Sequence, residues 1–319
     1  MIYIIVGLII AIIVFITIFI ISLKMHNKLF NHRFVKGEYI KYYTFEEFNL
    51  SEDIVDIKCH NEIIKGFIYS NNNYDHNKVI IYTHGMYADH YAYMQDIGYL
   101  AQKYLVISFD MLGVSLSGGK TLKSLSNAVE SLDYVIKYVK DNYKNKEIYL
   151  IGHSWGAYAT LSCLKYHSDI KGVVALSPFI TRKNALKDLL KTKILTPFIL
   201  LIDSIKGGKY SNVNIIKNLN KYKGKVLIIS SLDDNVINYR ENTLYLMNKF
   251  NNFNYIIENN KSHNPQYTTS SVERLNTFLS NIAKLSGDEL IDYMKNTNYH
   301  SLGEVDNNIM DKIIDFIND

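Results

Sequence analysis

Ile148-Tyr149-Leu150-Ile151-Gly152-His153-Ser154-Trp155-Gly156-Ala157 decides how this 319-residue chain reads. A largely apolar run enters Gly-x-Ser-x-Gly, and the residues that follow, 155–167, carry helical patterning. A serine between two glycines at a strand-to-helix turn is a nucleophile elbow. The turn holds the serine backbone in a strained conformation. A side chain at Gly152 or Gly156 would strike the neighbouring strand and helix, hence glycine at both places. Ser154 Oγ is then expected to stand exposed at the C-terminal edge of a sheet and at the positive end of a helix.

Outward from the elbow, β-branched runs at 54–59, 63–70, 79–83, 105–109, 148–151, 172–176, 226–230 and 254–258 predict eight strands. Helical patterns occupy 91–103, 121–143, 155–167, 239–250, 270–285 and 306–316. The first two strands read as an antiparallel hairpin through His60-Asn61-Glu62, and the alternation after them predicts an α/β fold with a mostly parallel eight-stranded sheet flanked by helices. Residues 179–222 are too many for one crossover helix; they read as an inserted small helical cap or as further core helices.

Serine is a weak nucleophile at neutral pH, so a histidine must take its proton and an acid must orient that histidine. Val226-Leu-Ile-Ile-Ser-Ser-Leu-Asp-Asp ends a strand with Asp233 and Asp234, and Glu258-Asn-Asn-Lys-Ser-His-Asn-Pro places His263 after the next. Acyl transfer also needs donors aimed at an oxyanion. One is the backbone N–H of Trp155. The other comes from His84-Gly85-Met86-Tyr87, with Met86 the first choice and Tyr87 the alternative, because Gly85 lets the backbone approach closely. His84 precedes the serine in the chain and reads as a loop-ordering residue rather than a base.

These residues together resemble the α/β-hydrolase superfamily, in particular bacterial serine hydrolases with His-Gly after the third strand and Gly-His-Ser-Trp-Gly at the elbow. The resemblance spans about residues 50–319 and implies the chain order Ser, acid, His. The family's small-x-x-Asp-x-x-apolar pattern, laid on Ser231 and closed by Ile237, selects Asp234 over Asp233. Asp110 and Ser115 fit the family's Asp-x-x-Gly-x-Ser loop, where they are usually structural. The chain departs from the family in two places: serine stands at 231 where glycine is usual, and residues 286–304 extend the chain before a final helix. The resemblance implies an acyl-enzyme mechanism with no metal or organic cofactor.

Residues 2–23 form an unbroken apolar run, about 33 Å long as a helix at ~1.5 Å per residue, which is enough to cross a bilayer. No basic residue precedes it and no small-residue cleavage site follows, so it reads as an uncleaved anchor at 1–23 rather than a secretory signal. The net charge is +4. All of that excess lies in the first 43 residues, where Lys24, Lys28, Arg33, Lys36 and Lys41 face one acid, Glu38. The expected organisation is a single-pass membrane helix, a basic juxtamembrane linker at 24–43 and a hydrolase domain at 44–319 with its N-terminus outside and the enzyme on the cytosolic face of the cell membrane. The basic stretch attracts anionic headgroups at most weakly and gives no reason to expect nucleic acid. Cys59 and Cys163 have neither metal nor disulfide spacing.

The expectation from sequence is a membrane-tethered serine hydrolase of carboxylic esters, of lipids or acyl chains. A peptidase with the same three residues is the near alternative, and a non-catalytic binding module on a hydrolase fold the distant one.

Overall fold

The computed structural model describes residues 1–319. Eight strands form one sheet: β1 (Ser51–Cys59), β2 (Glu62–Ser70), β3 (Asp75–Thr83), β4 (Tyr104–Phe109), β5 (Glu147–His153), β6 (Gly172–Leu176), β7 (Lys225–Ser231) and β8 (Asn254–Glu258). Their order is 1-2-4-3-5-6-7-8. β1 and β2 pair antiparallel, β2 meets β4 antiparallel, and β3 to β8 are parallel. This is the α/β-hydrolase arrangement expected from the sequence, with β5 and its elbow near the centre.

Eleven α-helices accompany the sheet: α1 (Ile2–Phe30), α2 (Met94–Ala101), α3 (Asn127–Asn142), α4 (Trp155–Cys163), α5 (Arg182–Leu190), α6 (Thr196–Gly207), α7 (Ile215–Leu219), α8 (Tyr245–Lys249), α9 (Thr269–Ile282), α10 (Gly287–Asn296) and α11 (Asn307–Asn318). Apolar side chains of α3 and α4 fill one face of the sheet. Those of α2 and α11 fill the other. β5 is buried on both faces, which explains its continuous apolar sequence.

Several elements depart from the periodicity. The helix expected from residue 121 starts at Asn127, because the backbone N–H groups of Leu122 and Lys123 are taken by the carbonyls of His32 and Phe30. The pattern at 239–250 begins as a π-helix, Arg240–Leu244, before α8. Residues 286–304 fold into α10 and a short 3-10 turn, Tyr299–Leu302, that packs against α9 through Phe278 and Tyr299.

The apolar N-terminal helix does not stop at residue 23 but runs to Phe30. Its most apolar stretch is unburied and long enough to cross a membrane, while its last two turns dock on the domain, burying Ser22, His26 and Phe30. His26 Nε2 lies 3.4 Å from Asp203 of α6, whose carboxylate also accepts from Arg182 (2.6 Å) and the Leu125 N–H (2.9 Å). Higher up, Phe15 meets Phe198 of α6 edge-on at 5.7 Å. Two of the five basic residues are packed rather than free: Arg33 donates to the carbonyls of Gly119 and Ser117, each at 2.6 Å, and Lys36 lies over the rings of Tyr42 and Tyr91.

Candidate active site

Ser154 sits between β5 and α4 with φ +53° and ψ −109°, a conformation that costs an L-residue on the order of 1–3 kcal/mol and persists only where its surroundings enforce it. The elbow glycines show what enforces it. A Cβ on Gly156 would lie 2.0 Å from the Thr83 carbonyl oxygen, and one on Gly152 would lie 2.5 Å from the backbone of Gly156. β3, the elbow and α4 are therefore in backbone contact, and the Ser154 N–H is fixed by the Leu176 carbonyl at 2.8 Å.

Two loops from the neighbouring strand ends bring the partners. His263 Nε2 is 2.8 Å from Ser154 Oγ, and His263 Nδ1 is 2.8 Å from Asp234 Oδ2. The other Asp234 oxygen accepts the N–H groups of Val236 (2.9 Å) and Ile237 (2.8 Å), so the carboxylate is held by its own turn. Its side chain is 3% exposed and that of His263 13%, which shelters the pair while leaving the imidazole accessible. Asp233 points elsewhere: it accepts the Ser262 N–H at 3.2 Å and the Ser231 hydroxyl. Burial pulls its carboxyl up, but those donors outweigh it and leave it below the ordinary range. Ser231, the departure from the family's glycine, thus ties Asp233 down, and its hydroxyl also receives the Lys261 N–H at 3.3 Å.

On the oxyanion side, neither the Met86 nor the Tyr87 N–H is bonded to another protein group, and Trp155, as the first residue of α4, has no intrahelical partner for its own. The loop is set by His84. Its Nε2 accepts the Met111 N–H at 3.2 Å, so its Nδ1 donates to the Gly85 carbonyl at 2.7 Å. Burial lowers its pKa, in keeping with a neutral ring. Asp110 accepts from the His90 N–H and ring and from the Leu116 N–H, which shapes the adjoining loop. Ser115, at φ +35°, gives its N–H to the Phe34 carbonyl.

Sequence reasoning passed over His153 and Tyr93. A carbonyl can only accept, so His153 Nε2 donates to the His263 carbonyl at 2.8 Å, and Nδ1 must accept from the Tyr93 hydroxyl at 2.8 Å. The Tyr93 oxygen in turn accepts the Gly85 N–H at 3.0 Å. One chain of hydrogen bonds therefore joins the loop of His84–Tyr87 to the loop of His263. Burial, followed by the nearby His263, pushes the His153 pKa down to about 3, so this relay is neutral at every working pH. The only sequence signal was the histidine inside the elbow itself.

Elsewhere, the thiol of Cys59, His60 and Glu130 come within 4.8 Å of one another, the donor types a metal would need. Burial, then the Glu130 charge, pushes the Cys59 thiol up to about 12, which disfavours the thiolate a metal binds.

The fold and the elbow define a serine hydrolase of the α/β-hydrolase class. A profile described as serine aminopeptidase, S33 matches residues 74–245, more than half of the chain, and the protein belongs to that family. No curated protein matches the sequence. Among solved structures, a Pyrococcus furiosus esterase is similar at 22% identity and a TM-score of 0.56, over 79% of this chain and 96% of its own. An esterase from Butyrivibrio proteoclasticus, solved with ferulic acid bound, is similar at 18% identity and a TM-score of 0.55, over 72% of this chain and 100% of its own. A puromycin-hydrolysing peptidase of Mycobacterium tuberculosis is 14% identical with a TM-score of 0.51, over 68% of this chain and 36% of its own. At these identities the likeness establishes the fold.

Proposed function

We propose that this protein is a membrane-anchored serine hydrolase of carboxylic esters, of lipids or acyl chains, working through Ser154, His263 and Asp234. The observation that carries the reading is the unbroken hydrogen-bonded chain from Asp234 Oδ2 through His263 to Ser154 Oγ. As Ser154 Oγ attacks the ester carbonyl, its proton passes to His263 Nε2, and Asp234 holds the imidazolium in place through Nδ1–H. The tetrahedral oxyanion receives the N–H groups of Met86 and Trp155, helped by the positive end of α4. His263 then gives its proton to the departing alkoxide, leaving Ser154 acylated. A water that hands a proton back to His263 attacks the acyl carbon, and collapse of that intermediate releases the acid and restores Ser154.

Labelling by a fluorophosphonate tests this directly. The wild-type protein should be labelled and Ser154→Ala should not; an unlabelled, folded wild type removes the enzyme reading. The peptidase alternative draws support from the family's own description, and turnover of aminoacyl amides at a rate matching esters would favour it.

For the anchor, Lys24 and Lys28 follow the apolar stretch directly, which by the positive-inside tendency puts the N-terminus outside and the hydrolase in the cytosol. Protease added to sealed right-side-out vesicles should leave the hydrolase domain intact, and its digestion there would reverse the orientation.

A further inference from the structure

One cavity, of about 440 Å³, opens beside His263 and Met86. Of its 25 lining residues 18 are hydrophobic, and not one is Asp, Glu, Lys or Arg. No residue of 179–222 lines it. Residues 86–95 form one wall, and two segments outside the sheet form the others: the juxtamembrane stretch, through Phe34, Ile40 and Tyr42, and the C-terminal excursion, through Phe278, Leu279 and Ile282. Burial raises the phenols of Tyr42, Tyr93 and Tyr267 well above their ordinary range, so the tyrosines in the lining stay neutral too.

From this geometry we infer that the cavity is the acyl subsite of the hydrolase, taking an extended, uncharged hydrocarbon chain whose ester carbonyl lies at Ser154. The inference rests on the proposed role of Ser154 and His263 and adds to it the place and the length of the acyl chain. An aminopeptidase must bind the substrate's terminal ammonium, and a buried ammonium needs a carboxylate beside it; this lining holds none. An apolar chain needs only neutral walls, and burying it there is favourable. A methylene takes roughly the space of a water, about 30 Å³, so the cavity accommodates on the order of a dozen carbons. The mouth suits such a ligand: Tyr87, 42% exposed, and Leu279, 50% exposed, both line the cavity. The Tyr87 hydroxyl donates to the Leu29 carbonyl at 3.0 Å, so the mouth adjoins the last turn of α1, the helix apolar enough to span a bilayer.

The test uses the full chain in phosphatidylcholine nanodiscs and p-nitrophenyl esters from acetate to palmitate. In the wild type, kcat/KM should rise at least tenfold from acetate to laurate. Leu279→Trp and Ile282→Trp, which fill the cavity from a partly exposed helix, should lower laurate turnover at least tenfold and acetate turnover less than twofold; Ile194→Trp, at an exposed position outside the cavity, should keep the wild-type profile. The same preference is expected for esters dissolved in buffer and for diacylglycerols held in the nanodisc, and the faster of the two identifies the source of the chain. A flat profile, or equal losses on acetate and laurate, overturns the subsite while fluorophosphonate labelling of Ser154 leaves the hydrolase reading standing. If labelling fails as well, binding decides the cavity on its own. The fluorescent methyl ester of parinaric acid should bind Ser154→Ala protein and bind at least tenfold more weakly once Leu279→Trp is added. Absence of binding, or binding unaffected by the tryptophan, refutes the assignment.

Discussion

Replacing each adjacent aspartate by asparagine separates their roles sharply, because the two side chains are held differently. In Asp234→Asn the amide oxygen keeps the place of Oδ1, where it still accepts from the N–H groups of Val236 and Ile237 at 2.9 and 2.8 Å. The amide NH2 then faces His263 Nδ1, which must accept, and the proton of the neutral ring is driven to Nε2. An Nε2–H directed at Ser154 Oγ cannot take the serine proton. A trapped tautomer of this kind costs on the order of 10⁴-fold in kcat, about 5 kcal/mol of transition-state stabilisation, with the fold intact because both backbone bonds survive. Asp233→Asn instead loses one of two charge-assisted bonds, to the Ser262 N–H or the Ser231 hydroxyl. Because Asp233 is solvent-exposed and its bonds are screened, that should lower stability by no more than about 1 kcal/mol while activity stays within about tenfold of wild type. Steady-state hydrolysis of p-nitrophenyl acetate, with circular dichroism as the check on folding, measures both. An Asp233→Asn enzyme that loses a thousandfold beside a nearly active Asp234→Asn would refute the assignment of the acid.

Two further substitutions probe the buried polar groups around the site. Tyr93→Phe strips the hydroxyl that accepts the Gly85 N–H and donates to His153, leaving two buried groups unpaired; thermal unfolding should show a loss of about 1–3 kcal/mol, and an unchanged midpoint would mean that the relay is not formed. Burial raises the Asp96 carboxyl to about 7 despite the Tyr82 O–H at 2.8 Å, so between its ordinary value of 3.8 and about 7 the folded protein holds a proton the unfolded chain has released, and stability falls as pH rises by up to about 1.4 kcal/mol per unit, levelling off above that window. Asp96→Asn has no such slope, so its advantage over wild type in urea midpoint should widen from pH 4 to 7; a constant difference would contradict the buried carboxyl.

The strands and the elbow were legible because their signals are local. Gly152-His153-Ser154-Trp155-Gly156 announces its turn within five residues, although the backbone that keeps Gly156 a glycine is that of distant Thr83, and the apolar runs of β5 to β7 reflect burial on both faces of a parallel sheet. Less was legible where a segment's hydrogen bonds go to distant partners. The stretch before Asn127 has helical patterning, yet its N–H groups are claimed by Phe30 and His32. The basic residues after the apolar run read as a juxtamembrane linker, whereas Lys24 and Lys28 belong to α1 and Arg33 is enclosed by loop carbonyls. His153 was invisible as a positioning group because its partners, Tyr93 and the His263 carbonyl, are 60 and 110 residues away.

By itself, then, the sequence determined the order of elements, the strained serine turn, the apolar helix at the N-terminus and the set of residues with suitable chemistry, since periodicity, glycine placement and side-chain type act over a handful of residues. Tertiary structure decided which aspartate meets His263, through the direction each side chain takes from the end of β7. It also decided where an acyl chain can lie. The walls beside His263 come from residues 34–43, 86–95 and 275–303 rather than from 179–222, and only tertiary packing brings segments so distant in the chain to one mouth.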